Sequence, residues 1–165
     1  MDEPEIIENS KTGKIDFGLV LTPLDQENIR AYPVIHERSV LVTRVKNKKT
    51  LDKITEGEFV VYRQNDPLFV EYLKKFHRRT GFGKLDVQIA VNSHRSMIDA
   101  LLSNDYYAFI PYLSIDMHVK NGNLKIASKN ELRSYLYLVC LENNLIEERK
   151  RVFQSYMTAQ LKMID

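Results

Sequence analysis

The stretch Lys84-Leu-Asp-Val-Gln-Ile-Ala-Val-Asn92-Ser93-His94-Arg95, running into Met97-Ile-Asp-Ala-Leu-Leu102 and then Tyr106-Tyr-Ala-Phe-Ile-Pro111-Tyr112, decides the fold. It reads as a strand, a polar helix start, a short apolar helix, a second strand and a proline. That order places free backbone N–H groups and a hydroxyl at the C-terminal end of a parallel sheet, which is where open α/β sheets bind small ligands. A plainer alternative is a βαβ unit in which Asn92 or Ser93 only caps the helix.

The same alternation extends in both directions. Upstream, Phe59-Val-Val-Tyr62 is a strand candidate. Asp66 and Pro67 then supply a cap and a first helical residue, and Leu68, Phe69, Tyr72, Leu73 and Phe76 recur at helical spacing until Gly81. Towards the N-terminus, Glu5-Ile-Ile-Glu8 is the end of a helix stopped by Gly13, and Ile15-Asp-Phe-Gly-Leu-Val-Leu21 is a short apolar strand before Thr22-Pro23. Residues 30–45 have a β-rich composition, interrupted by Pro33 and by His36-Glu-Arg38, and are expected to be extended. The basic cluster Lys46-Asn-Lys-Lys49 lacks glycine and is read as a solvated turn rather than a phosphate loop.

Downstream, residues 111–128 are read as a second extended crossing, and Tyr135-Leu-Tyr-Leu-Val-Cys-Leu141 as a buried strand. Asn144 and Glu147 match a capping pair ahead of a long amphipathic closing helix carrying Ile146, Phe153, Tyr156, Met157 and Leu161. Strands alternating with helices predict an α/β fold with a mostly parallel sheet, and the two extended crossings predict two lobes joined by paired strands.

Composition narrows the function classes. A chain of 165 residues with 44% apolar content can bury a sizeable core. Its 24 Lys and Arg against 22 Asp and Glu leave a net charge of +2, too small a field to invite nucleic acid or an anionic membrane on its own. One cysteine, Cys140, excludes an internal disulfide; in its apolar surroundings it reads as a small buried hydrophobe, compatible with a reducing, cytoplasmic location. The start Met-Asp-Glu-Pro-Glu lacks the features of a secretory signal, and no apolar run approaches the ~20 residues of a membrane span.

Four landmarks in order carry a resemblance. Thr12-Gly-Lys-Ile-Asp-Phe-Gly-Leu-Val20, Pro33-Val-Ile-His-Glu-Arg-Ser-Val-Leu-Val42, Val91-Asn-Ser-His-Arg-Ser-Met-Ile-Asp-Ala-Leu-Leu102 and Ala108-Phe-Ile-Pro111 resemble the effector-binding domain of LysR-type transcriptional regulators across nearly the whole chain. The resemblance implies a two-lobed, periplasmic-binding-protein-like type 2 fold, with a small-molecule effector held between the lobes and with homodimers formed through these domains. It assigns residues 1–38 and 123–165 to a first, incomplete lobe and residues 39–122 to a second, complete one. Two departures are expected. No winged helix-turn-helix precedes the segment, so DNA contact would belong to a separate N-terminal domain, and Ser103-Asn104-Asp105-Tyr106 stands where the family usually has a glycine-rich turn.

Carried onto this chain, the resemblance suggests Thr22 and Pro23 for one wall of the cleft, and Asn92, Ser93 and Arg95 for the opposite wall. A helix start with unpaired N–H groups and a hydroxyl suits a carboxylate or amino-acid-like anion. Gln64 and Asn65 sit in a comparable loop and could add amide contacts or form a solvated turn. Tyr112 either floors the pocket or packs at a hinge. His94, in the first turn of the presumed ligand helix, could pair with an anion when protonated, although the helix dipole opposes its charge. With part of the first lobe missing, a weakened cleft is also expected.

Catalysis is the rival class. His36, His77, His94 and His118 show no metal-ligand spacing, and no nucleophile elbow, phosphate loop or dinucleotide fingerprint occurs, so neither an enzyme nor a cofactor is expected. His77, in Phe76-His-Arg-Arg79, reads as a surface group near a helix end. Two further alternatives share the fold: a solute-binding protein, and a stand-alone interaction protein with an empty cleft.

Overall fold

The computed structural model describes residues 3–21, 28–49, 51–141, 148–149, 151–153 and 155–156. Its contacts divide the chain into two compact units, Arg38–Arg133 and the pair Met1–Glu37 with Ser134–Asp165. Two long strands, β2 (Ile29–Arg44) and β6 (Leu124–Leu141), contribute residues to both. With β1 (Gly18–Val20), β3 (Glu58–Val61), β4 (Asp86–Ala90) and β5 (Tyr107–Pro111), the hydrogen-bonded order is β1-β6-β2-β5-β3-β4. The sheet is mixed. β4 runs parallel to β3 and β3 parallel to β5, whereas β2 pairs antiparallel with β5 and β1 antiparallel with β6.

In the unit Arg38–Arg133, strand alternation builds two cores. Leu41, Phe59, Val61, Tyr107 and Phe109 face one side, where α2 (Pro67–Phe76) lays down Phe69, Tyr72 and Leu73. Their neighbours Val40, Val42, Val60, Ala108 and Ile110 face the other, against Met97, Ile98 and Leu101 of α3 (His94–Ser103). Because both faces are covered, these strands are continuous apolar runs rather than alternating ones. The edge strand β4 is mostly exposed; its residue Val87 packs against the α2 side.

The expected helix starts are present. Asp66 Oδ1 accepts the Leu68 N–H at 3.0 Å with Pro67 opening α2, and Ser93 Oγ accepts the Ser96 N–H at 3.1 Å ahead of α3. α2 ends at Phe76, before Gly81, because the His77 N–H closes on the Leu73 carbonyl and a turn follows.

Residues 111–128 differ from the extended reading. A 3-10 turn over Tyr112–Ser114 leads into α4 (Asp116–Lys120), clamped by a 2.7 Å Asp116–Lys120 ion pair one helical turn apart. Gly122, at φ +70°, ends it, with its N–H bonded to the Val119 carbonyl. Ile115 and Val119 from this segment pack into the α3-side core. The turn 103–106, which lacks glycine, is braced from outside. Arg44 Nε meets Asp105 at 2.7 Å, and the Arg44 guanidinium holds the Asp105 carboxyl below its ordinary range. Buried Asn47 donates to Thr43 Oγ1 at 2.9 Å and to the Asp105 carbonyl at 3.1 Å, and Thr43 Oγ1 donates to the Tyr106 carbonyl at 2.7 Å. The basic cluster is thus a turn, but Asn47 within it is structural.

In the unit Met1–Glu37 with Ser134–Asp165, α1 (Glu3–Lys11) packs Ile6 and Ile7 on Val20, Ile29 and Val139. It stops at Gly13, whose φ of +68° is the left-handed conformation glycine adopts cheaply. Gly18 is required for close approach, since a Cβ there would overlap the Ile6 side chain. β1 is shorter than the expected run of residues 15–21. Cys140 is buried and in no disulfide among the described residues. Among the described residues of the closing helix, 148–149, 151–153 and 155–156 are helical, and Phe153 stacks on Phe17 with ring centres 5.3 Å apart; Asn144, Ile146, Glu147, Met157 and Leu161 lie outside the described residues.

Asn47→Ala, by stranding the groups it bridges, is expected to cost ~1–3 kcal/mol in urea denaturation. Lys48→Ala beside it, at an exposed position, should stay within about 0.5 kcal/mol of the parent.

Candidate ligand-binding site

The parallel segment β4-β3-β5 brings the C-terminal ends of β3 and β4 side by side, and the register is closed by the Val91 N–H donating to the Val61 carbonyl at 2.9 Å. The chain leaves β3 through Tyr62-Arg63-Gln64 and leaves β4 through Val91-Asn92-Ser93. Between these exits lies an open depression of about 570 Å³, lined by residues 62–64, 90–92 and Ser96. Of the residues expected from the sequence, Gln64 and Asn92 line it. Ser93 adjoins it as the α3 cap, its Oγ also 2.8 Å from Ser96 Oγ.

His94 is half-buried behind this rim. Its ring lies 5.1 Å from that of Tyr62, tilted by 54°, and its Nδ1 is 3.1 Å from Ser114 Oγ. Burial pushes the His94 imidazole below its ordinary value, only partly offset by the Asp66 carboxylate. Burial likewise raises Asp66, against the Leu68 N–H and the Arg63 charge, which lower it. The two groups therefore oppose each other's desolvation across the starts of α2 and α3.

Other expected residues fall elsewhere. Asn65, exposed at φ +54°, turns the chain before the Asp66 cap and does not line the depression. Arg95 is exposed and outside the lining. Tyr112 is half-buried beside the α3-side core, and the Arg38 guanidinium sits 3.8 Å from its ring centre. Thr22 and Pro23 lie outside the described residues. Sequence reasoning passed over Tyr62, Arg63, Ser96 and Ser114. The first two sit where a strand of a parallel sheet ends, a position that could have flagged them; Ser114 comes close only through the turn after β5.

The helix start has spare donors. Ser93 satisfies the Ser96 N–H, whereas the amides of His94 and Arg95 fall in a first turn that offers no acceptor within the helix. A negative group placed there would meet two amides and the positive end of the α3 dipole. Among the described residues, no group of three or more His, Cys, Asp or Glu is placed to hold a metal ion, and no helix is long and apolar enough to cross a membrane.

A family model described as the LysR substrate binding domain matches residues 1–162. No curated protein sequence matches the chain. Among solved structures, the bromide-bound regulatory domain of HypT from Salmonella typhimurium is similar with a TM-score of 0.79 at 15% identity, covering 96% of this chain and 80% of that one. The C-terminal domains of a LysR family protein from Agrobacterium tumefaciens align with a TM-score of 0.76 at 14% identity, covering 99% and 81%. Full-length HypT, described as a hypochlorite-specific LysR-type transcriptional regulator, aligns with a TM-score of 0.77 at 14% identity; the chain spans 57% of its length.

The electrostatics of His94 set a pH dependence. Unfolded, the imidazole titrates near 6.5; folded, it holds its proton less well, so the unfolded state binds more protons as pH falls. Stability should therefore decline from about pH 6.5 downwards until the folded-state value is passed. His77, also lowered by burial, adds to the same slope, while Asp66 acts in the opposite sense at lower pH. His94→Gln is expected to flatten, without abolishing, the loss of stability between about pH 7 and about pH 5 in denaturant melts; an unchanged slope would contradict the assignment.

Proposed function

Because the chain belongs to the family of LysR substrate-binding domains, we propose that it is the effector-sensing part of a LysR-type transcriptional regulator, cytoplasmic and dimerising through this domain. Its α/β, periplasmic-binding-protein-like type 2 fold is that of the family. The two compact units correspond in this reading to the two lobes. The effector is a small anion, a carboxylate or an amino acid, and it docks in the depression between the ends of β3 and β4. Gln64 and Asn92 supply amides, Ser93 sets the α3 start, and the His94 and Arg95 backbone N–H groups receive the charge. Arg95 adds a cation at the rim.

The observation that carries this reading is the pairing of an open depression, lined in part by Arg63, Gln64 and Asn92, with a capped helix start whose leading amides lack an internal acceptor. Each charge-assisted hydrogen bond made there contributes ~1.5–3 kcal/mol. Neutral His94 suits the site, because it avoids placing a buried cation at the positive end of a helix. DNA contact belongs to a separate domain of the full regulator.

Thermal shift against small carboxylates, amino acids and bromide tests the reading, since a ligand at a hundred times its Kd stabilises the fold by ~2.7 kcal/mol. Asn92→Ala should reduce the ligand-induced gain by ~1–3 kcal/mol for a lost direct contact, and Arg95→Ala, outside the lining, by the smaller amount of a rim charge. Ser93→Ala should in addition lower ligand-free stability by ~1 kcal/mol through loss of the cap. An effector shift left untouched by all three variants would remove this depression from the account.

A further inference from the structure

The far end of α2 carries a second polar groove, remote in sequence from the depression just described. It has a volume of about 490 Å³ and is lined by residues 52–55 and 75–80. Its lining holds four cations, Lys53, Lys75, Arg78 and Arg79, against the single carboxylate of Asp52. Lys53 is 3.7 Å from Glu56, whereas Lys75, Arg78 and Arg79 pair with no carboxylate among the described residues. Lys75 Nζ also lies 5.4 Å from the centre of the Phe76 ring, and the C-terminal dipole of α2 adds only roughly half a negative charge, so the groove keeps a net positive field.

The local backbone fixes these groups. The Thr80 N–H donates to the His77 carbonyl at 2.7 Å, so Arg78 and Arg79 are the two central residues of a tight turn and share one corner. His77, beside them in the lining, is lodged against Tyr72 with ring centres 5.5 Å apart, and its Nε2 is buried with no hydrogen-bond partner among the described residues. That nitrogen is closed off from solvent, so His77 shapes the wall of the groove and leaves binding to the neighbouring cations. Ile54 and Phe76 give the groove an apolar part.

We propose that this groove binds a small phosphomonoester. A phosphoryl dianion matches adjacent guanidinium groups better than a monoanionic carboxylate does, since three oxygens accept from the fork-like donors of Arg78 and Arg79 with Lys75 adding charge. Ile54 and Phe76 take the carbon portion of the ester. The groove's volume falls within the ~300–1,000 Å³ range of small-ligand sites, which favours a compact ligand over a polyanion.

Calorimetric titration of the chain with phenyl phosphate, inorganic phosphate, benzoate and a short DNA duplex tests the proposal. Saturable binding of phenyl phosphate is expected, tighter than that of inorganic phosphate or benzoate. It should weaken about ten- to a hundredfold in the Arg78→Gln/Arg79→Gln variant and persist in Asn92→Ala. Both arginines are exposed, so the double variant should melt at the parent temperature. The proposal is overturned by absence of saturable binding, by equal affinity for benzoate, by indifference to the double variant, or by tighter binding of the duplex. Equal affinity for inorganic phosphate overturns the role given to Ile54 and Phe76.

Discussion

The parallel direction of β3 and β4 and the handedness of crossover connections together govern where the helices of residues 38–133 begin and which face each covers. A strand, a helix and a parallel strand join almost always by a right-handed path, because a right-twisted strand feeding a right-handed helix packs back only that way. Here the chain steps from β3 outwards to β4 through α2, then back across β3 to β5 through α3. Opposite steps require opposite faces, and the side chains agree: α2 packs with Leu41, Phe59 and Phe109, and α3 with Val40, Val60 and Ile110. Both helices consequently start at the same edge, at the C-terminal ends of their strands. The open depression lies at that edge, and its position follows from the fold before any polar residue is considered.

Polar chemistry then separates the two helix starts. At α2 the donor is consumed internally, since Asp66 turns its carboxylate to the Leu68 N–H and is half-buried. At α3 the cap is a neutral hydroxyl, with the Asp66 carboxylate acting on His94 in its first turn. Tyr62 and Ser114 hold the half-buried His94 ring at the start of α3. The two helix starts thus differ in the charge of the residue that caps them.

Much of this was legible in the sequence. Asp66-Pro67 and Ser93 are local signals whose physics acts within a few residues, and both caps formed as read. The buried runs of β3 and β5 were recognisable because sheets covered on both faces need no alternation. What escaped depended on partners distant in the chain. α4 was hidden because Ile115 and Val119 have strand-like composition, and its ion pair and Gly122 stop were weaker cues. Asn47 looked like part of a solvated basic turn, yet it braces a turn some sixty residues away. Arg95, expected from its position in the cleft wall, lies exposed at the rim, outside the lining of the depression. Ser114 gave no sequence sign of its contact with His94, because the turn after β5 creates that contact.

Amide chemical shifts of the ¹⁵N-labelled chain, followed during titration with the carboxylate that gives the largest thermal shift, test the central claim directly. The account predicts saturable changes concentrated at residues 62–64 and 92–96, with the His94 and Arg95 amides moving most as they take up a charged acceptor. Saturable changes clustered elsewhere, with those two amides still, would contradict it.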